Sequence, residues 1–319
     1  MRKKLGPILA WAVTIAILVF LFQKIPLAEV WNATRAAAWW AIPANATIVL
    51  SVYLADSYAI MKTFGWFVAP IAYSEVLIVR GATYLLALVN YTVGQGAIIY
   101  FVHRTRKVPL LRGTAAVLLI MGINVLMLLV LATIGLATAS DVSAGLRTIV
   151  LAAYGGLLVY ILLVALRPRW LARRPIFDVL LTAGISGHLK SMMVRLPHIV
   201  TLLTLSWVSM AAFGVVLPVT KAILCLPIVY FVTVLPISVQ GLGTTQAMMI
   251  YFFSDYAPGA TMAARSAAVL AASLLAQVVA NVIQLLIGFV CMRSQLARGL
   301  WRANRDASLE SGDATKETP

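Results

Sequence analysis

Long runs of apolar residues, separated by short polar or charged segments, recur along the whole chain. A helix that crosses a bilayer needs about 20 mostly apolar residues, because no water is available there and the backbone groups must bond within the helix. The runs lie at residues 5–22, 40–61, 76–102, 114–138, 148–166, 199–217, 222–253 and 267–292. This pattern predicts an all-α integral membrane protein.

The charge distribution supports the same class. The chain is 62% hydrophobic and 11% charged, whereas about a quarter of the residues in soluble domains are charged. Its net charge of +15 would suggest nucleic acid as the partner of a soluble protein. Here the basic residues flank apolar runs, where orientation in the membrane and anionic lipid headgroups account for them. We therefore expect membrane lipids, and no nucleic acid, as partners.

Two of the apolar runs are broken by glycine or proline. Residues 90–96 interrupt the run at 76–102, and residues 236–243 interrupt the run at 222–253. Broken backbone survives at membrane depth only where protein or a water-filled cavity covers it. The arms at 76–89 and 242–253 are too short to cross about 30 Å at 1.5 Å per residue. We therefore predict two re-entrant helical hairpins, each entering and leaving by the same face.

The other runs predict about six transmembrane helices, and the basic residues predict their orientation. Basic residues favour the cytoplasmic side. With the N-terminus inside, all but five of the 25 Lys and Arg are cytoplasmic, the exceptions being Lys24, Arg35, Arg147, Lys221 and Arg265. This assignment places both termini in the cytoplasm of a cell bounded by a cytoplasmic (inner) membrane. The first run has no convincing signal-peptide cleavage site after it, so we expect it to be retained.

The order of spans and hairpins predicts an inverted repeat. Each half has a span, a hairpin and a span, in opposite orientations, a plan that recurs in secondary transporters. Residues 1–292 would form one polytopic membrane domain, with halves at 1–166 and 199–292 and an amphipathic interfacial linker at 167–198. Residues 293–319 would be a mostly disordered cytoplasmic tail. Independent origin of the two breaks remains the alternative.

Asp56 is a carboxylate well inside a predicted span. A charge at that depth costs at least about 2.5 kcal/mol, so it should have a partner. Lys62 and Arg80 are the candidates on the same side. Asp56 could couple a proton or contact a headgroup, or it could form a structural pair.

Further polar residues carry alternative interpretations. His103, Arg104 and Arg106 follow the first hairpin at the height of lipid phosphates, and could capture phosphate or only anchor the helix. Within the spans, polar side chains could line a path or bond between helices; they are Asn124, Gln277, Asn281 and Gln284.

No phosphate loop, nucleophile elbow, zinc-ligand spacing or dinucleotide fingerprint occurs in the sequence. Cys225 and Cys291 both lie in apolar runs, which indicates neither a disulfide framework nor a metal site. We therefore expect no cofactor, no metal and no enzymatic activity.

Residues 235–246, Leu-Pro-Ile-Ser-Val-Gln-Gly-Leu-Gly-Thr-Thr-Gln, resemble the signature Leu-Pro-Ile-Ser-x-Gly-Gly-Leu-Gly-x-x-Glu. That signature belongs to the flippase-like transmembrane domain of lysylphosphatidylglycerol synthases and their stand-alone relatives. The first break matches the family's Asn-x-x-x-Pro-Gly-x-Gly-Glu region more loosely. Val93 replaces its Pro, and Ala97 and Gln246 stand where the family has Glu, so the resemblance does not imply recognition of a lysyl headgroup. We expect no aminoacyl-transferase domain after the membrane domain, so lipid synthesis is not implied.

The resemblance implies translocation of a lipid or lipid-linked molecule, phosphate-bearing or isoprenoid-linked, with its headgroup passing between the hairpins. The alternatives are a non-transporting partner or scaffold of a lipid-modifying enzyme, a membrane-embedded transferase, and an ion or small-solute transporter. The expected substrate-path residues are Asn90, Gly94, Gly96, His103, Arg104, Arg106, Pro236, Ser238, Gly241, Gly243 and Gln246.

Overall fold

The structure is a computed structural model that describes residues 5–89, 91–138, 144–234, 238 and 241–294. These residues form helices and short connections, and none of them lies in a strand. The helices are α1 (Leu5–Lys24), α2 (Leu27–Arg35), α3 (Ala41–Phe67), α4 (Tyr73–Val89), α5 (Tyr91–Arg106), α6 (Leu110–Thr138), α7 (Ala144–Leu166), α8 (Arg169–Ala172), α9 (Asp178–Ala212), α10 (Val219–Val234), α11 (Thr244–Phe253) and α12 (Met262–Met292). The all-α class predicted from the sequence is confirmed.

Four of the described helices are long and apolar enough to cross a bilayer. They are Ala41–Phe67, Leu110–Ala137, Pro175–Ala212 and Met262–Met292. The other two predicted spans fall on α1, which continues into α2 through a bend of 84°, and on α7, whose apolar stretch Leu151–Leu166 is shorter. The helices therefore fit a multi-pass membrane protein, with four clear candidate spans where six were predicted.

The chain divides into two compact units. Unit 1 consists of Met1–Val52, Gly122–Leu163 and Arg195–Asn281. Unit 2 consists of Tyr53–Met121, Val164–Val194 and the described residues from Val282 onward. Each unit takes segments from both predicted halves of the sequence, so the compact units do not follow the predicted division at 167–198.

One helix runs through the predicted boundary between the linker and the second half. Helix α9 continues from Asp178 to Ala212 and passes Pro197 without ending. Its backbone departs from helical geometry at Gly184, where φ is 57° and ψ is −175°. Glycine adopts this left-handed region without the steric cost that a Cβ brings. The chain therefore bends at Gly184, within the predicted linker, and α9 passes the predicted boundary at residue 198 as a helix.

Apolar side chains are exposed on the helices and also fill the interior of unit 1. Ile15, Leu158, Val200 and Phe289 are among the large apolar side chains that lie exposed. Exposed apolar area of this kind is rare on soluble monomers and is the surface that lipid covers. The core of unit 1 gathers buried residues of several helices, including Met210, Leu224, Leu226, Val229, Phe253 and Val269.

Glycines allow close approach between helices within each unit. In unit 2, a Cβ on Gly81 of α4 would collide with Cys291 of α12, and one on Gly288 would lie 2.6 Å from Cγ of Leu85. In unit 1, a Cβ on Gly135 of α6 would collide with the backbone of Leu224 in α10. Small residues at contacts are the usual means of packing helices in membranes.

Candidate functional site

A buried ion pair joins α3 and α4 in unit 2. Nε of Arg80 donates to Oδ2 of Asp56 at 2.6 Å, and the Asp56 side chain is only 2% exposed. The guanidinium of Arg80 also lies over the ring of Tyr84, 5.3 Å from its centroid. The expectation that Asp56 has a basic partner is confirmed, and Arg80 is that partner. Nζ of Lys62 instead lies 5.5 Å from the ring centroid of Tyr58.

Tyr53 reinforces the contact between α3 and α4. Its hydroxyl donates to the carbonyl oxygen of Leu77 at 2.6 Å, and its ring packs on that of Tyr84 with centroids 5.7 Å apart. Tyr53 was not among the residues predicted from the sequence. It precedes Asp56 by three positions and therefore lies on the same face of α3, a spacing that could have identified it.

Helices α4 and α5 form the first predicted hairpin, and charged groups close its open end. Nη2 of Arg106 donates to Oε2 of Glu75 at 2.7 Å, and its Nε donates to the carbonyl oxygen of Pro70 at 3.1 Å. The same Glu75 oxygen accepts the backbone N–H of Ala72 at 3.0 Å. The beginning of α4 and the end of α5 therefore lie together. Glu75, which the sequence analysis did not consider, holds the side chain of Arg106 in this structural contact.

His103 and Arg104 lie on the last turn of α5 and are partly buried. Nδ1 of His103 is 2.8 Å from the carbonyl oxygen of Val108. A carbonyl can only accept, so Nδ1 carries the hydrogen in this contact. His103 thus stabilises the turn that follows α5, and its Nε2 is the ring nitrogen left for other contacts.

The two glycines predicted for the first hairpin differ in their surroundings. A Cβ on Gly94 of α5 would lie 2.8 Å from Cβ of Ala87 in α4, whereas a Cβ on Gly96 would meet no atom within 4 Å. Close approach of the backbone is therefore found at Gly94 and not at Gly96. Asn90, between the two helices, lies outside the described residues.

The second predicted hairpin lies in unit 1 and consists of α10 and α11. The chain enters α11 through Gly241 and Gly243, whose φ angles are 73° and 86°. Glycine is favoured at both positions because a Cβ is strained in this region. Ser238 and Thr244 are buried, with their hydroxyl oxygens 2.8 Å apart, and the Thr244 hydroxyl donates to the carbonyl oxygen of Gly241 at 3.0 Å. Pro236 lies outside the described residues.

Gln246 is the third residue of α11 and is completely buried. Its Oε1 accepts the backbone N–H of Gly243 at 2.6 Å. Glu or Gln commonly accepts this bond at the third position of a helix, because the first N–H groups have no partner in the helix. In the part of the chain that the structure describes, Nε2 of Gln246 is buried with no hydrogen-bond partner.

Asn124 of α6 is bonded to an arginine of α9 in unit 1. Its Oδ1 accepts a hydrogen bond from Nε of Arg195, a residue that is only 5% exposed. In the predicted orientation, Arg195 is one of the cytoplasmic charges, because it lies between the spans predicted at 148–166 and 199–217. The guanidinium of Arg195 therefore lies inside the protein. Its acceptor, Asn124, is one of the polar residues predicted to lie within a span.

The polar residues of α12 bond partly to one another. Nε2 of Gln277 donates to Oδ1 of Asn281 at 3.2 Å, and both side chains are partly buried. Gln284, also partly buried, lies in the part of α12 that belongs to unit 2. The bond between Gln277 and Asn281 lies within one helix, so it links no pair of helices.

The structure brings the predicted residues together in several places. In unit 1, Ser238, Gly241, Gly243 and Gln246 surround the beginning of α11. In unit 2, Asp56 and Arg80 form the ion pair. Among the described residues, no three His, Cys, Asp or Glu side chains lie close enough together to hold a metal ion.

Comparison with known proteins adds no assignment: no protein-family model matches the chain, and no curated protein is significantly similar to it.

Proposed function

We propose that this protein moves a lipid or lipid-linked molecule across the cytoplasmic membrane. In this proposal it has six spans and two re-entrant hairpins arranged as an inverted repeat, with both termini in the cytoplasm. It would be a relative of the flippase-like transmembrane domain that residues 235–246 resemble. The observation that carries the proposal is the buried ion pair of Asp56 and Arg80, on α3 and on the first arm of a hairpin.

The ion pair supports transport because it is expensive to keep among apolar helices. Removing two charges from water costs several kcal/mol per ion, and mutual attraction offsets this only with good geometry. A pair of apolar residues would hold α3 and α4 together at lower cost. Ionisable groups inside membrane helices therefore generally mark the path of a substrate or ion. Arg80 in particular can exchange its carboxylate partner for a phosphate, because a guanidinium binds either one in the same fork geometry.

The lengths of the hairpin helices also support the proposal. Helices α4 and α5 have 17 and 16 residues, about 24 to 26 Å at 1.5 Å per residue, which is less than the hydrocarbon thickness of about 30 Å. Helix α11 has only 10 residues. Short helices that end inside a bilayer leave backbone N–H and C=O groups for a headgroup to contact. The acyl chains would stay in the lipid against the exposed apolar side chains.

The proposal is tested by reconstituting the purified chain in vesicles and following a fluorescent phospholipid or isoprenoid phosphate from one leaflet to the other. We expect faster movement than in protein-free vesicles. The matched variant is Asp56→Leu with Arg80→Met, which removes both charges together; we expect it to lose the acceleration. Absence of acceleration by the unaltered chain, with every lipid of both classes tried, would refute lipid translocation.

The polar contacts also favour a second candidate, a non-transporting partner or scaffold of a lipid-modifying enzyme. Arg80 is bonded to Asp56 and Arg106 to Glu75, so each pair also holds helices in place without any substrate. For a scaffold, we expect a stable partner enzyme to co-purify, and we expect the double variant to bind that partner as well as the unaltered chain does.

A further inference from the structure

The amide group of Gln246 is oriented by its own hydrogen bond. The N–H of Gly243 needs an acceptor, so the carboxamide must turn its Oε1 toward it, at 2.6 Å. Nε2 belongs to the same planar group and therefore also lies beside the first turn of α11. The residue is 0% exposed, and within the described part of the chain Nε2 has no acceptor. A buried donor left without a partner destabilises the fold, and a bound oxygen would remove that cost.

The beginning of α11 presents further donors in the same place. The first backbone N–H groups of a helix have no partner within it, and the helix dipole gives this end a partial positive charge. Phosphate groups commonly bind at such helix ends. The side chain of Gln246 adds a donor that is independent of the helix and fixed in position.

Charge around this end favours an anion over a cation. Cβ of Ile17 in α1 lies 3.2 Å from the position that a Cβ on Gly243 would take, and α10 is the other arm of the hairpin. The sequences of α1, α10 and α11 contain no acidic residue. Asp255 lies nine positions beyond Gln246, about 13 Å away at the helical rise. None of these three helices therefore supplies a carboxylate that would repel an anion.

We infer that the first turn of α11 is a binding site for an oxygen of a phosphate group, with Nε2 of Gln246 as its side-chain donor. In a lipid translocator this phosphate is that of the lipid headgroup, so the identity of the ligand rests on the proposed function. The site itself rests on Gln246 and the helix end. A free inorganic phosphate has the same chemistry and is the other source of the ligand.

The test measures binding separately from transport. The full chain in a neutral detergent is unfolded by heating, with tryptophan fluorescence as the readout. The probes are short-chain phosphatidylglycerol, inorganic phosphate and a short-chain diacylglycerol that lacks the phosphate. We expect phosphatidylglycerol to raise the midpoint of unfolding and diacylglycerol not to do so. If inorganic phosphate raises the midpoint as much as phosphatidylglycerol does, the site binds phosphate but its ligand is the free anion.

The decisive variant is Gln246→Glu, which keeps the acceptor for Gly243 and replaces the Nε2 donor with a negatively charged oxygen. We expect it to weaken phosphatidylglycerol binding by at least about tenfold, since a favourable hydrogen bond becomes repulsion between like charges. Gln23→Glu makes the same chemical change at an exposed position near the end of α1 and should leave binding within about twofold of the unaltered chain. If Gln246→Glu does not fold, Gln246→Met removes the donor without adding charge; it also removes the acceptor for the N–H of Gly243.

Equal binding by the unaltered chain and the Gln246 variant overturns the inference and leaves an internal water as the partner of Nε2. Equal effects of phosphatidylglycerol and diacylglycerol on the unaltered chain also overturn it, whether or not either variant folds. The proposed function fails separately. Binding that depends on Gln246 without lipid movement in vesicles refutes translocation and keeps the site. Lipid movement by an unaltered chain whose phosphatidylglycerol binding does not depend on Gln246 keeps translocation and refutes the site.

Discussion

Arg80 and Asp56, 24 positions apart in sequence, form a hydrogen-bonded ion pair of 2.6 Å between α4 and α3, with the carboxylate almost completely buried. Breaking a buried pair leaves one charge uncompensated, whereas replacing both partners with apolar residues is often neutral for stability. This difference separates a structural role of the pair from a functional one.

We therefore predict that Asp56→Asn lowers the free energy of unfolding by up to about 3 kcal/mol, because the guanidinium of Arg80, only 15% exposed, loses its counter-ion. The double variant Asp56→Leu with Arg80→Met should unfold within a few degrees of the unaltered chain in a thermal scan. Loss of lipid movement in this stable double variant would assign the pair to transport. Full activity in the double variant would reduce the pair to a structural contact.

Gly94 and Gly96 offer a matched pair of substitutions on one helix. Gly94→Ala should destabilise the hairpin by about 1 to 3 kcal/mol, because its Cβ would lie 2.8 Å from Cβ of Ala87 and force the two arms apart. Gly96→Ala meets no atom within 4 Å and should stabilise α5 by about 0.5 to 1 kcal/mol, since alanine loses less backbone entropy in a helix. Thermal unfolding of both variants checks the prediction, and an equal effect at the two positions would contradict the described packing.

Gly135 and Gly122 provide the same comparison on α6 in unit 1. A Cβ on Gly135 would lie 2.5 Å from the backbone nitrogen of Leu224 in α10, and backbone cannot rotate away as a side chain can. We expect Gly135→Ala to lower the free energy of unfolding by about 3 kcal/mol. Gly122→Ala, which meets nothing within 4 Å, should not lower it. Unfolding in detergent measures both; a stable Gly135→Ala variant would mean that α6 and α10 are less closely packed.

The re-entrant nature of the first hairpin can be tested by cysteine labelling. In a chain with Cys225 and Cys291 replaced by alanine, a cysteine is placed at Tyr91, the first residue of α5. A hairpin that only enters the membrane keeps this position away from the outer surface, because α4 and α5 are shorter than the bilayer core. We expect a membrane-impermeant maleimide applied from outside not to label it. Labelling from outside would make α4 and α5 two complete spans.

Cysteines at Glu75 and at Arg106 are the matched controls for this experiment. The two side chains form an ion pair at 2.7 Å at the open end of the hairpin, so both positions must lie on one side of the membrane. We expect both to react with the reagent from the cytoplasmic side. Reaction of the two from opposite sides would exclude a hairpin altogether.

Several features of the site could be read from the chain because they depend on local sequence. Asp56 stands in an apolar run, and the cost of burying a charge was enough to require a partner. The glycines at positions 241 and 243 predicted a break in the helix. In the structure both have positive φ angles, which glycine readily adopts. Polar residues within apolar runs, such as Asn124, were recognised for the same reason.

Other features depended on which helices meet. Arg195 lies in a basic segment, and only the packing of α6 and α9 shows that it is buried and bonded to Asn124, 71 positions away. Glu75 carried no motif, and its role follows only from the return of α5 to the start of α4. Gly96 looked equivalent to Gly94, but only Gly94 has a neighbour that a Cβ would strike.

The sequence by itself determined that this protein is helical and apolar enough for a membrane, because helix length, apolar content and broken runs are properties of neighbouring residues and of the solvent they require. Only the tertiary structure decided that Arg80 rather than Lys62 neutralises Asp56. It also decided that the amide of Gln246 bonds to Gly243 through its oxygen and that its nitrogen finds no acceptor among the described residues. Such pairings depend on distances of a few ångströms between groups, and those distances are set by how the helices pack and where each one begins.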